Sequence, residues 1–319
     1  MVMDARAIVL EAPQRLALSR LALETAGEAD VVVDIEYSGI STGTERLLWD
    51  GRMPSFPGMG YPLVPGYESV GRVVHAGPAS GRREGERVFV PGARCYGEVR
   101  GLFGGSSSRL VSPGARVTPV DESLGENAVL LALAATAYHA VAGGGQRSPI
   151  VAPDLIVGHV VLGRLLARMV VVAGFTPPTV WETSPARQGG AEGYPVVHPD
   201  EDDRRDYRAI YDVSGDASLL DRLIQRLAPG GEVVLAGFYT QPLQFAFAPA
   251  FMREAQIRCA AEWKRPDLMA VKELVETGRL SLGGLITHHD TPDHADTAYR
   301  IAFGDTACLK MVLDWRACS

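Results

Sequence analysis

Residues 154–163, with the sequence DLIVGHVVLG, predict the strand, glycine turn and helix start of a dinucleotide-binding unit. A short apolar strand ends at Gly158, and a helical pattern begins at Leu162 and continues to Ala173. Glycine lets the backbone approach a pyrophosphate closely, and a helix N-terminus supplies N–H groups and a positive dipole end. These elements therefore follow one another in the order that a dinucleotide requires.

The turn that we expect to hold the cofactor consists of six residues: Gly158, His159, Val160, Val161, Leu162 and Gly163. The first and third glycines of the G-x-G-x-x-G pattern are present, and Val160 replaces the second, where its side chain adds bulk nearest the pyrophosphate. His159 either contacts the pyrophosphate or faces solvent. Because glycine turns also occur in unrelated α/β proteins, the turn needs support from its surroundings.

Glu182 ends the strand that follows the first predicted helix, 24 residues after Gly158. A carboxylate at this place binds the 2′-hydroxyl of the adenosine ribose in dinucleotide-binding proteins. It also repels a 2′-phosphate, so NAD is favoured over NADP, although Arg187 is close enough in sequence to keep NADP as an alternative. The other interpretation of Glu182 is a solvated turn carboxylate.

Strands alternate with helices over the middle of the chain. Apolar strand-like runs are found at 179–182, 196–197, 209–213, 232–236 and 256–260. A helical pattern covers 217–228 and precedes Pro229-Gly230-Gly231, and another covers 126–142. Parallel strands need such crossovers, so we predict an α/β chain in which residues 128–263 form a doubly wound parallel sheet. Residues 1–127 are rich in β-branched runs and predict a β-rich domain.

The composition fits a globular protein and excludes some partners. Of the 319 residues 46% are hydrophobic, and the net charge of −7 argues against a nucleic-acid partner, because phosphates attract a basic surface. The most apolar stretch, 128–142, is too short to cross a bilayer and fits a buried helix, and the N-terminus carries no secretion signal. We therefore expect a cytoplasmic protein without an integral membrane segment.

Seven fragments in a fixed order resemble the medium-chain dehydrogenase/reductase superfamily over nearly the whole chain. They are Ser38-Gly-Ile-Ser-Thr-Gly-Thr-Glu45, Pro65-Gly-Tyr-Glu-Ser-Val-Gly71, Gly85-Glu-Arg-Val88, Gly104-Gly105, Thr136-Ala-Tyr-His139, Leu227-Ala-Pro-Gly-Gly231 with Leu235-Ala-Gly237, and Leu309-Lys-Met-Val-Leu313. The resemblance implies a GroES-like catalytic domain, residues 1–127 and 264–319, and a Rossmann domain, residues 128–263. It also implies a nicotinamide-dependent oxidoreductase and places Gly237 among the cofactor-binding residues.

Zinc-dependent members of the superfamily carry ligands that this sequence lacks. The resemblance puts Ser41 or Thr42 at the position of a cysteine ligand and Tyr67 at that of a histidine ligand. The lobe that binds a structural zinc in many members keeps only Cys95, and the four cysteines form no C-x-x-C pair. A hydroxyl and a phenol do not replace thiolate and imidazole as zinc ligands at neutral pH. Glu68 remains, but one carboxylate does not make a site, so we predict no metal.

Without zinc, side chains must handle the proton of an alcohol while the cofactor takes the hydride. The resemblance assigns the relay hydroxyl to Thr44 and turns Tyr67 towards the nicotinamide, where its phenol orients or deprotonates the alcohol. Glu68 accepts the proton or orients Tyr67, and Ser41 and Thr42 complete the candidate catalytic set. Two of these residues have structural alternatives, because Thr44 could cap the helix that starts there and Tyr67 could be a core aromatic residue.

A long loop predicted before residue 64 is crowded with aromatic and methionine side chains. Four of them are candidates to line a pocket for a large, flat, mostly apolar substrate: Trp49, Met53, Phe56 and Tyr61. The alternative is that they pack under their own loop. His139 is the remaining pocket candidate, and its alternative is a structural role on its helix.

The combination of SGIS-x-GTE, PGYE and GH-x-x-LGR resembles, within the superfamily, the dehydrogenases that oxidise the 3-(1-hydroxyethyl) group of bacteriochlorophyllide a to 3-acetyl. The resemblance implies NAD-dependent, zinc-free oxidation of a tetrapyrrole, and it is compatible with a homodimer. Two alternatives stand beside it. One is a zinc-free quinone or enoyl reductase that uses NADPH, which Glu182 disfavours. The other is a non-catalytic binding protein that kept the fold, which Val160 favours.

Overall fold

A computed structural model describes residues 3–142 and 151–318 of the chain. The chain divides into two compact units, Met1–Ala132 with Leu285–Ser319 and Leu133–Gly284, termed the first unit and the second unit. The strands of the described residues are β1 Asp4–Ala12, β2 Arg15–Ala22, β3 Asp30–Ile40, β4 Leu63–Val64, β5 Ser69–Ala76, β6 Arg87–Val90, β7 Arg100–Gly101, β8 Arg109–Pro113, β9 Thr118–Pro119, β10 Leu155–Val157, β11 Thr179–Trp181, β12 Val196–Val197, β13 Tyr207–Asp212, β14 Leu227–Leu235, β15 Gln256–Cys259, β16 His288–Asp290 and β17 Met311–Asp314.

Helices lie between these strands in both units. The α-helices of the described residues are α1 Thr44–Asp50, α2 Leu131–Ala142, α3 Val161–Val172, α4 Pro185–Gln188, α5 Leu220–Arg226, α6 Phe247–Met252, α7 Arg265–Glu276 and α8 Ala295–Gly304. Short 3₁₀ helices are found at Glu122–Leu130, Ala217–Leu219 and Pro292–His294. The β-rich character predicted for the N-terminal part and the alternation predicted for the middle of the chain are both observed.

The first unit is built on mostly antiparallel sheets that join both ends of the chain. One sheet has the order β2-β1-β4-β7, and the other has the order β16-β17-β3-β5-β6-β9, with β8 also paired to β3. The C-terminal strand β17 lies antiparallel to the end of β3, where Met311 pairs with Ile40 and Leu313 with Ser38. This pairing brings the last strand of the chain beside the motif that begins at Ser38.

The second unit contains one six-stranded sheet with the order β12-β11-β10-β13-β14-β15, in which every neighbouring pair is parallel. Its central strands are apolar throughout, and Leu155, Ile156 and Ile210 are fully buried, as a two-sided parallel sheet requires. The predicted α/β class with a doubly wound parallel sheet is confirmed. Chain order reverses at β10, so the turn after β10 lies at the carboxyl edge where such sheets bind ligands.

Two predicted helices have different bounds in the structure. The helix predicted over 126–142 is the end of a 3₁₀ segment followed by α2, and Gly125, with φ 50° and ψ −140°, interrupts the helical conformation just before the predicted start. The helix predicted over 217–228 ends at Arg226, because Leu227 pairs with Tyr207 and starts β14. The Pro-Gly-Gly sequence that we expected in a turn is therefore an irregularity inside β14.

One helical stretch of the described residues, Glu122–Ala142, is long and apolar enough to cross a membrane by length and composition. Of its most apolar window, 56% is buried inside the protein. Val129, Leu130 and Leu131 are completely inaccessible to solvent. Such burial is typical of a core helix, the structure that the sequence predicted for residues 128–142.

The second unit extends beyond the domain boundary predicted at residue 264. The ring of His139 on α2 hydrogen-bonds Asp267 of α7, with 2.8 Å between Nδ1 and Oδ2. The guanidinium of Arg168 on α3 donates to the carbonyls of Ser281 and Gly283, each at 3.0 Å. These buried polar contacts hold α7 and the segment after it to the second unit, and the chain returns to the first unit at Leu285.

Candidate active site

Three hydroxyl groups of the first unit meet where β3 ends and α1 begins. Ser41 follows β3, Thr44 is the first residue of α1, and Tyr67 lies between β4 and β5. The Oγ atom of Ser41 is 2.7 Å from the phenol oxygen of Tyr67, and Thr44 also hydrogen-bonds that phenol. Thr42 is half-buried in the turn that joins Ser41 to α1. The structure thus brings together three of the residues that the sequence proposed for catalysis.

The two structural roles considered above, helix capping by Thr44 and core packing by Tyr67, do not fully account for the contacts of these residues. Gly43, not Thr44, is the N-cap residue of α1, and α1 has no side-chain cap, so the threonine hydroxyl is available to the phenol. The ring of Tyr67 is half-buried and packs edge-on against Phe103, with 5.6 Å between ring centroids. Its hydroxyl, however, ends in the polar group with Ser41. The ring of Tyr67 therefore packs against an apolar neighbour, while its hydroxyl remains available to take part in proton transfer.

The electrostatic surroundings keep the Tyr67 phenol protonated. Burial raises the pKa of Tyr67 above its ordinary value, the nearby Glu68 charge raises it further, and the hydroxyls of Ser41 and Thr44 oppose the shift. A phenol in this state donates a hydrogen bond and passes protons along a chain, but it is not a base at neutral pH. The predicted role of Tyr67 in deprotonating the alcohol directly is therefore corrected to that of a donor or relay.

Glu68 forms a buried ion pair with a residue that the sequence analysis did not select. The Nζ atom of Lys310 lies 2.6 Å from Oε2 of Glu68 and also donates to the carbonyl of Ile40 at 3.2 Å. Glu68 is 0% and Lys310 1% exposed. A Cβ atom on Gly39 would lie only 2.5 Å from that carboxylate, so this approach needs glycine. Glu68 acts on Tyr67 through its charge, and a hydrogen bond orienting the phenol is not what the structure shows.

Glu45 is a second buried carboxylate that the predicted site omitted. Its Oε2 atom accepts the backbone N–H of Ser41 at 2.6 Å, and its Oε1 atom accepts the hydroxyl of Tyr299 on α8 at 2.9 Å. Its side chain is completely buried. Burial raises the pKa of Glu45 to about 7, the Ser41 N–H opposes the shift, and the charge of Glu68 adds to it. An acidic residue in a first helical turn is usual, so only its burial distinguishes Glu45.

The glycine turn of the second unit has the geometry that a dinucleotide requires. Gly158 has φ 105°, a conformation that favours glycine. A Cβ atom on Gly163 would lie 1.9 Å from the carbonyl oxygen of Gly158, so only glycine lets α3 approach the strand this closely. Val160 is the N-cap of α3 and offers no side-chain cap, while Val161 and Leu162 form the first turn of α3. The first backbone N–H groups of α3 therefore have no capping side chain.

The ring of His159 is buried inside the second unit instead of facing solvent. Its Nδ1 lies 2.6 Å from the carbonyl of Arg187, and its Nε2 lies 2.9 Å from the hydroxyl of Tyr194. Both ring nitrogens are thus engaged, so the alternative in which this ring faces solvent is wrong. Burial lowers the pKa of His159 to about 4, which keeps the ring neutral at physiological pH.

Glu182 closes the glycine turn against the loop after β11. Its carboxylate accepts the backbone N–H of His159 at 3.1 Å and that of Ser184 at 2.8 Å. Its residue exposure is 7%, so the interpretation as a solvated turn carboxylate is wrong. Gly237 follows β14, and its N–H donates to the carbonyl of Asp212 at the carboxyl end of β13. Glu182 and Gly237 therefore both lie at the edge of the sheet that carries the turn.

Arg164 is a buried residue of the second unit that sequence reasoning missed. It follows Gly163 on α3, and its guanidinium donates to the carbonyls of His159, Arg187 and Gly189 at 3.0, 2.9 and 2.8 Å. It is 4% exposed. These bonds fasten the loop after β11 to the start of α3. Its position directly after the last glycine of the motif was the only signal in the sequence.

The predicted substrate-pocket residues are used mainly in packing. Trp49 and Met53 belong to the buried core of the first unit, and the hydroxyl of Tyr61 donates to the carbonyl of Leu48. Phe56 is 38% exposed. The packing alternative is therefore correct for Trp49 and Met53, whose rings and chains are covered by the protein. The predicted pocket role of His139 is corrected in the same way, because its ring is held by Asp267.

The donor set around Tyr67 does not fit a zinc ion. The described residues, 3–142 and 151–318, contain no group of three or more His, Cys, Asp or Glu side chains able to hold a metal. The oxygens of Ser41 and Tyr67 are hydrogen-bonded to each other, and the neighbouring carboxylate of Glu68 already pairs with the ammonium of Lys310. A hydroxyl and a phenol of raised pKa are poor ligands for a borderline-soft divalent ion, and the ammonium repels it.

The chain is similar to known dehydrogenases along its whole length. Residues 27–122 match the alcohol dehydrogenase GroES-like domain. Over 315 residues the chain is 56% identical to 2-desacetyl-2-hydroxyethyl bacteriochlorophyllide A dehydrogenase of Rhodobacter capsulatus, covering 98% of this chain and 99% of that protein. Over 320 residues it is 55% identical to the protein of the same name from Cereibacter sphaeroides, covering 99% of each chain. An Escherichia coli CFT073 alcohol dehydrogenase crystallised with NADH has a TM-score of 0.80 and 21% identity, covering 98% of this chain and 99% of that chain.

These similarities and the two-unit fold define the class of protein. The chain is a medium-chain dehydrogenase/reductase, with a GroES-like part and a parallel dinucleotide-binding sheet. Within that class, it belongs to the family of the bacteriochlorophyllide dehydrogenases of R. capsulatus and C. sphaeroides. The predictions of the superfamily and of an oxidoreductase with a nicotinamide cofactor are confirmed, and the non-catalytic alternative is wrong.

Proposed function

We propose that the protein oxidises the 3-(1-hydroxyethyl) group of bacteriochlorophyllide a to 3-acetyl, with NAD as the hydride acceptor and without zinc. The observation that carries this proposal is the 56% identity, over 98% of the chain, to a relative named for such a substrate. The acetyl product extends the conjugation of the macrocycle, which favours oxidation. A tetrapyrrole alcohol therefore needs less help from a metal ion than ethanol does.

The cluster of hydroxyl groups formed by Ser41, Thr44 and Tyr67 supplies the groups that transfer the proton. NAD, when bound, would supply the hydride acceptor, so groups of the protein must take the hydroxyl proton. The phenol of Tyr67 hydrogen-bonds the substrate oxygen and takes its proton while passing its own proton to Ser41, 2.7 Å away, and Ser41 in turn releases a proton to water. Thr44 is a second hydroxyl on the same phenol. The charge of Glu68 is balanced by Lys310, so Glu68 supports the site without accepting the proton.

The second unit supplies the cofactor site, for which NAD is the preferred ligand. The turn from Gly158 to Gly163 and the first N–H groups of α3 suit a pyrophosphate. Glu182 and Gly237 lie at the same sheet edge. The buried carboxylate of Glu182 has lone pairs left for ribose hydroxyls, and its charge opposes a 2′-phosphate. NADP is the alternative that a direct comparison of the two affinities tests.

We also propose that the protein is a homodimer that uses the exposed edge of the second unit. β15 is the last strand of its sheet, and the α6 side chains of Phe247, Phe251 and Met252 beside it in sequence are 71%, 65% and 75% exposed. Unpaired edge strands and large apolar side chains are normally covered. A second copy covers the same edge symmetrically. Sedimentation should show a dimer that Phe251→Glu dissociates, whereas Phe175→Glu at another exposed site of this unit does not.

The substrate proposal is tested by one assay with matched substrates. Purified protein should convert the hydroxyethyl bacteriochlorophyllide with NAD, giving NADH and an absorbance shift of the macrocycle. Ethanol, simple polyols and quinones should show no comparable turnover. Metal analysis of the active protein should find well under one equivalent of zinc. Turnover of quinones with NADPH, but not of the tetrapyrrole, would instead establish the zinc-free reductase.

A further inference from the structure

Two carboxylates and one ammonium group are buried together beside the Ser41–Tyr67 pair. Glu45 and Glu68 are 0% exposed, and Lys310 is 1% exposed. The ammonium of Lys310 pairs with Glu68 at 2.6 Å, so one carboxylate is compensated. Glu45 instead receives two hydrogen bonds, from the N–H of Ser41 and from the hydroxyl of Tyr299. Burying an unpaired carboxylate is costly, so this arrangement calls for a function.

The contacts of Glu45 lead directly to the hydroxyl cluster. The carboxylate holds the backbone of Ser41 at 2.6 Å, and the side chain of the same serine contacts Tyr67 at 2.7 Å. Glu45 also follows Thr44, the second hydroxyl on that phenol, in the first turn of α1. Tyr299 anchors the other oxygen of the carboxylate from α8. A change at the oxygen that accepts the Ser41 N–H therefore acts on Ser41, one of the partners of Tyr67.

We propose that Glu45 is the positioning residue of this site, whose ionised carboxylate holds Ser41 against Tyr67 and whose protonation loosens that pair. The inference rests on the proposed dehydrogenase function and extends it to a residue that touches no substrate. An ionised carboxylate only accepts hydrogen bonds, and both its neighbours are donors in the structure. Protonation removes the charge from the group that accepts the Ser41 N–H, and a hydrogen bond to a neutral acceptor is weaker than one to a charged acceptor.

Besides burial, the ionisation of Glu45 depends on four groups that face it. The N–H of Ser41 lowers the pKa of Glu45, the charge of Glu68 raises it, and the hydroxyl of Tyr299 and the ammonium of Lys310 lower it. The phenol of Tyr67 stays neutral. Burial is the largest influence and brings the pKa of Glu45 to about 7. The site is therefore organised above neutral pH and loosened below it, and alcohol oxidation should rise with pH through this range.

Glu45→Gln separates the charge of this residue from its shape. The amide oxygen accepts the Ser41 N–H and the amide nitrogen donates to the Tyr299 oxygen, so the variant keeps the shape of the residue in the uncharged state that protonation produces. In the wild type, kcat/KM for the tetrapyrrole should fall about tenfold per pH unit below the inflection. The variant should show the lowered activity of the acid limb at every pH and lose that inflection. A variant that retains the wild-type inflection overturns the proposal.

Tyr299→Phe provides a second test, in which Glu45 still titrates but its pKa is changed. It removes a hydrogen bond that lowers the pKa of Glu45, so the inflection should move to higher pH. A residue that only filled space would not shift the profile. An unmoved inflection in Tyr299→Phe counts against the assignment even if Glu45→Gln fails to fold.

Difference infrared spectroscopy distinguishes failure of this inference from failure of the proposed substrate. On acidification across neutral pH, the free wild-type protein should gain the carbonyl band of a protonated buried carboxyl group, and Glu45→Gln should not. The measurement needs neither cofactor nor substrate. The band without tetrapyrrole turnover would leave the titration of Glu45 intact and reject the substrate. Turnover without the band would reject the role of Glu45.

Discussion

The Nζ atom of Lys310 lies 2.6 Å from Oε2 of Glu68, although the two residues are 242 positions apart in the chain. The contact arises because β17 pairs with the end of β3. This pairing brings Lys310, the residue before β17, close to the motif at residues 65–71, which contains Glu68. Both side chains are excluded from solvent. Each charge is therefore tolerated only in the presence of the other.

Replacing Lys310 should destabilise the first unit more than replacing the pair. Lys310→Met leaves Glu68 buried and unpaired, which costs about 3–5 kcal/mol in comparable cases. The double variant Lys310→Met with Glu68→Gln should recover part of this loss, because it removes the uncompensated charge. Urea unfolding, monitored by fluorescence, measures the free energy of unfolding of the single and the double variant. A single variant as stable as the wild type, or a double variant less stable than the single, would contradict the ion-pair argument.

The cofactor turn was predictable from sequence because its determinants are local. Strand, glycine and helix follow one another within ten residues, and the steric demands at Gly158 and Gly163 act between neighbours in the chain. The parallel sheet was predictable for the same reason, since alternating strand and helix patterns leave few topologies.

The surroundings of Tyr67 were harder to predict from the sequence because they depend on contacts between strands and helices that are distant in the chain. Glu45 was quoted only as part of a motif, and neither its burial nor its bond to Tyr299 leaves a pattern in the sequence. Lys310 was quoted only as part of the motif Leu309-Lys-Met-Val-Leu313, and nothing in that pattern indicated a buried ion pair. Trp49 was misassigned to a pocket, because an aromatic residue looks the same in a sequence whether it lines a cleft or packs against Tyr299.

Tyr67→Phe should reduce turnover without unfolding the protein. The variant keeps the ring contact with Phe103 and removes the hydroxyl that bonds Ser41. Loss of a positioned proton-transfer group typically lowers kcat by about 10²–10⁴-fold. Ser41→Ala should show a smaller loss in the same direction, and NADH binding should be unchanged in both. Steady-state kinetics with the tetrapyrrole measure the effect, and an unimpaired Tyr67→Phe would remove this residue from the mechanism.

The second unit should lose stability in mild acid because His159 is buried as a neutral ring. Its pKa is lowered from 6.5 to about 4, first by burial and then by the charge of Arg164, against the carbonyl of Arg187. The unfolded chain binds a proton below about pH 6.5, so the free energy of unfolding should fall as pH drops from there towards 4. His159→Gln should flatten this dependence in urea titrations, whereas His75→Gln, at an exposed histidine, should not. Equal slopes in all three proteins would show that another group is responsible.

The glycine turn should respond in opposite directions to two substitutions. Gly163→Ala places a methyl group where a Cβ would lie 1.9 Å from the Gly158 carbonyl, so the turn must move and NADH binding should be lost. Val160→Gly removes bulk from the N-cap of α3 and should tighten binding several-fold, about 1 kcal/mol. Fluorescence titration with NADH measures both. Unchanged affinity in both variants would mean that the cofactor does not use this turn.

Glu182→Gln should relax the preference for NAD. The glutamine keeps an oxygen for the N–H of His159 and loses the acceptor for the N–H of Ser184, while the negative charge that opposes a 2′-phosphate is removed. NADP affinity should therefore rise relative to NAD by several-fold, which corresponds to about 1 kcal/mol. Glu201→Gln, at an exposed glutamate of the same unit, controls for the change in net charge. Competition titrations of NAD against NADP give the ratio directly. If the ratio is the same in both variants, discrimination between the cofactors does not come from Glu182.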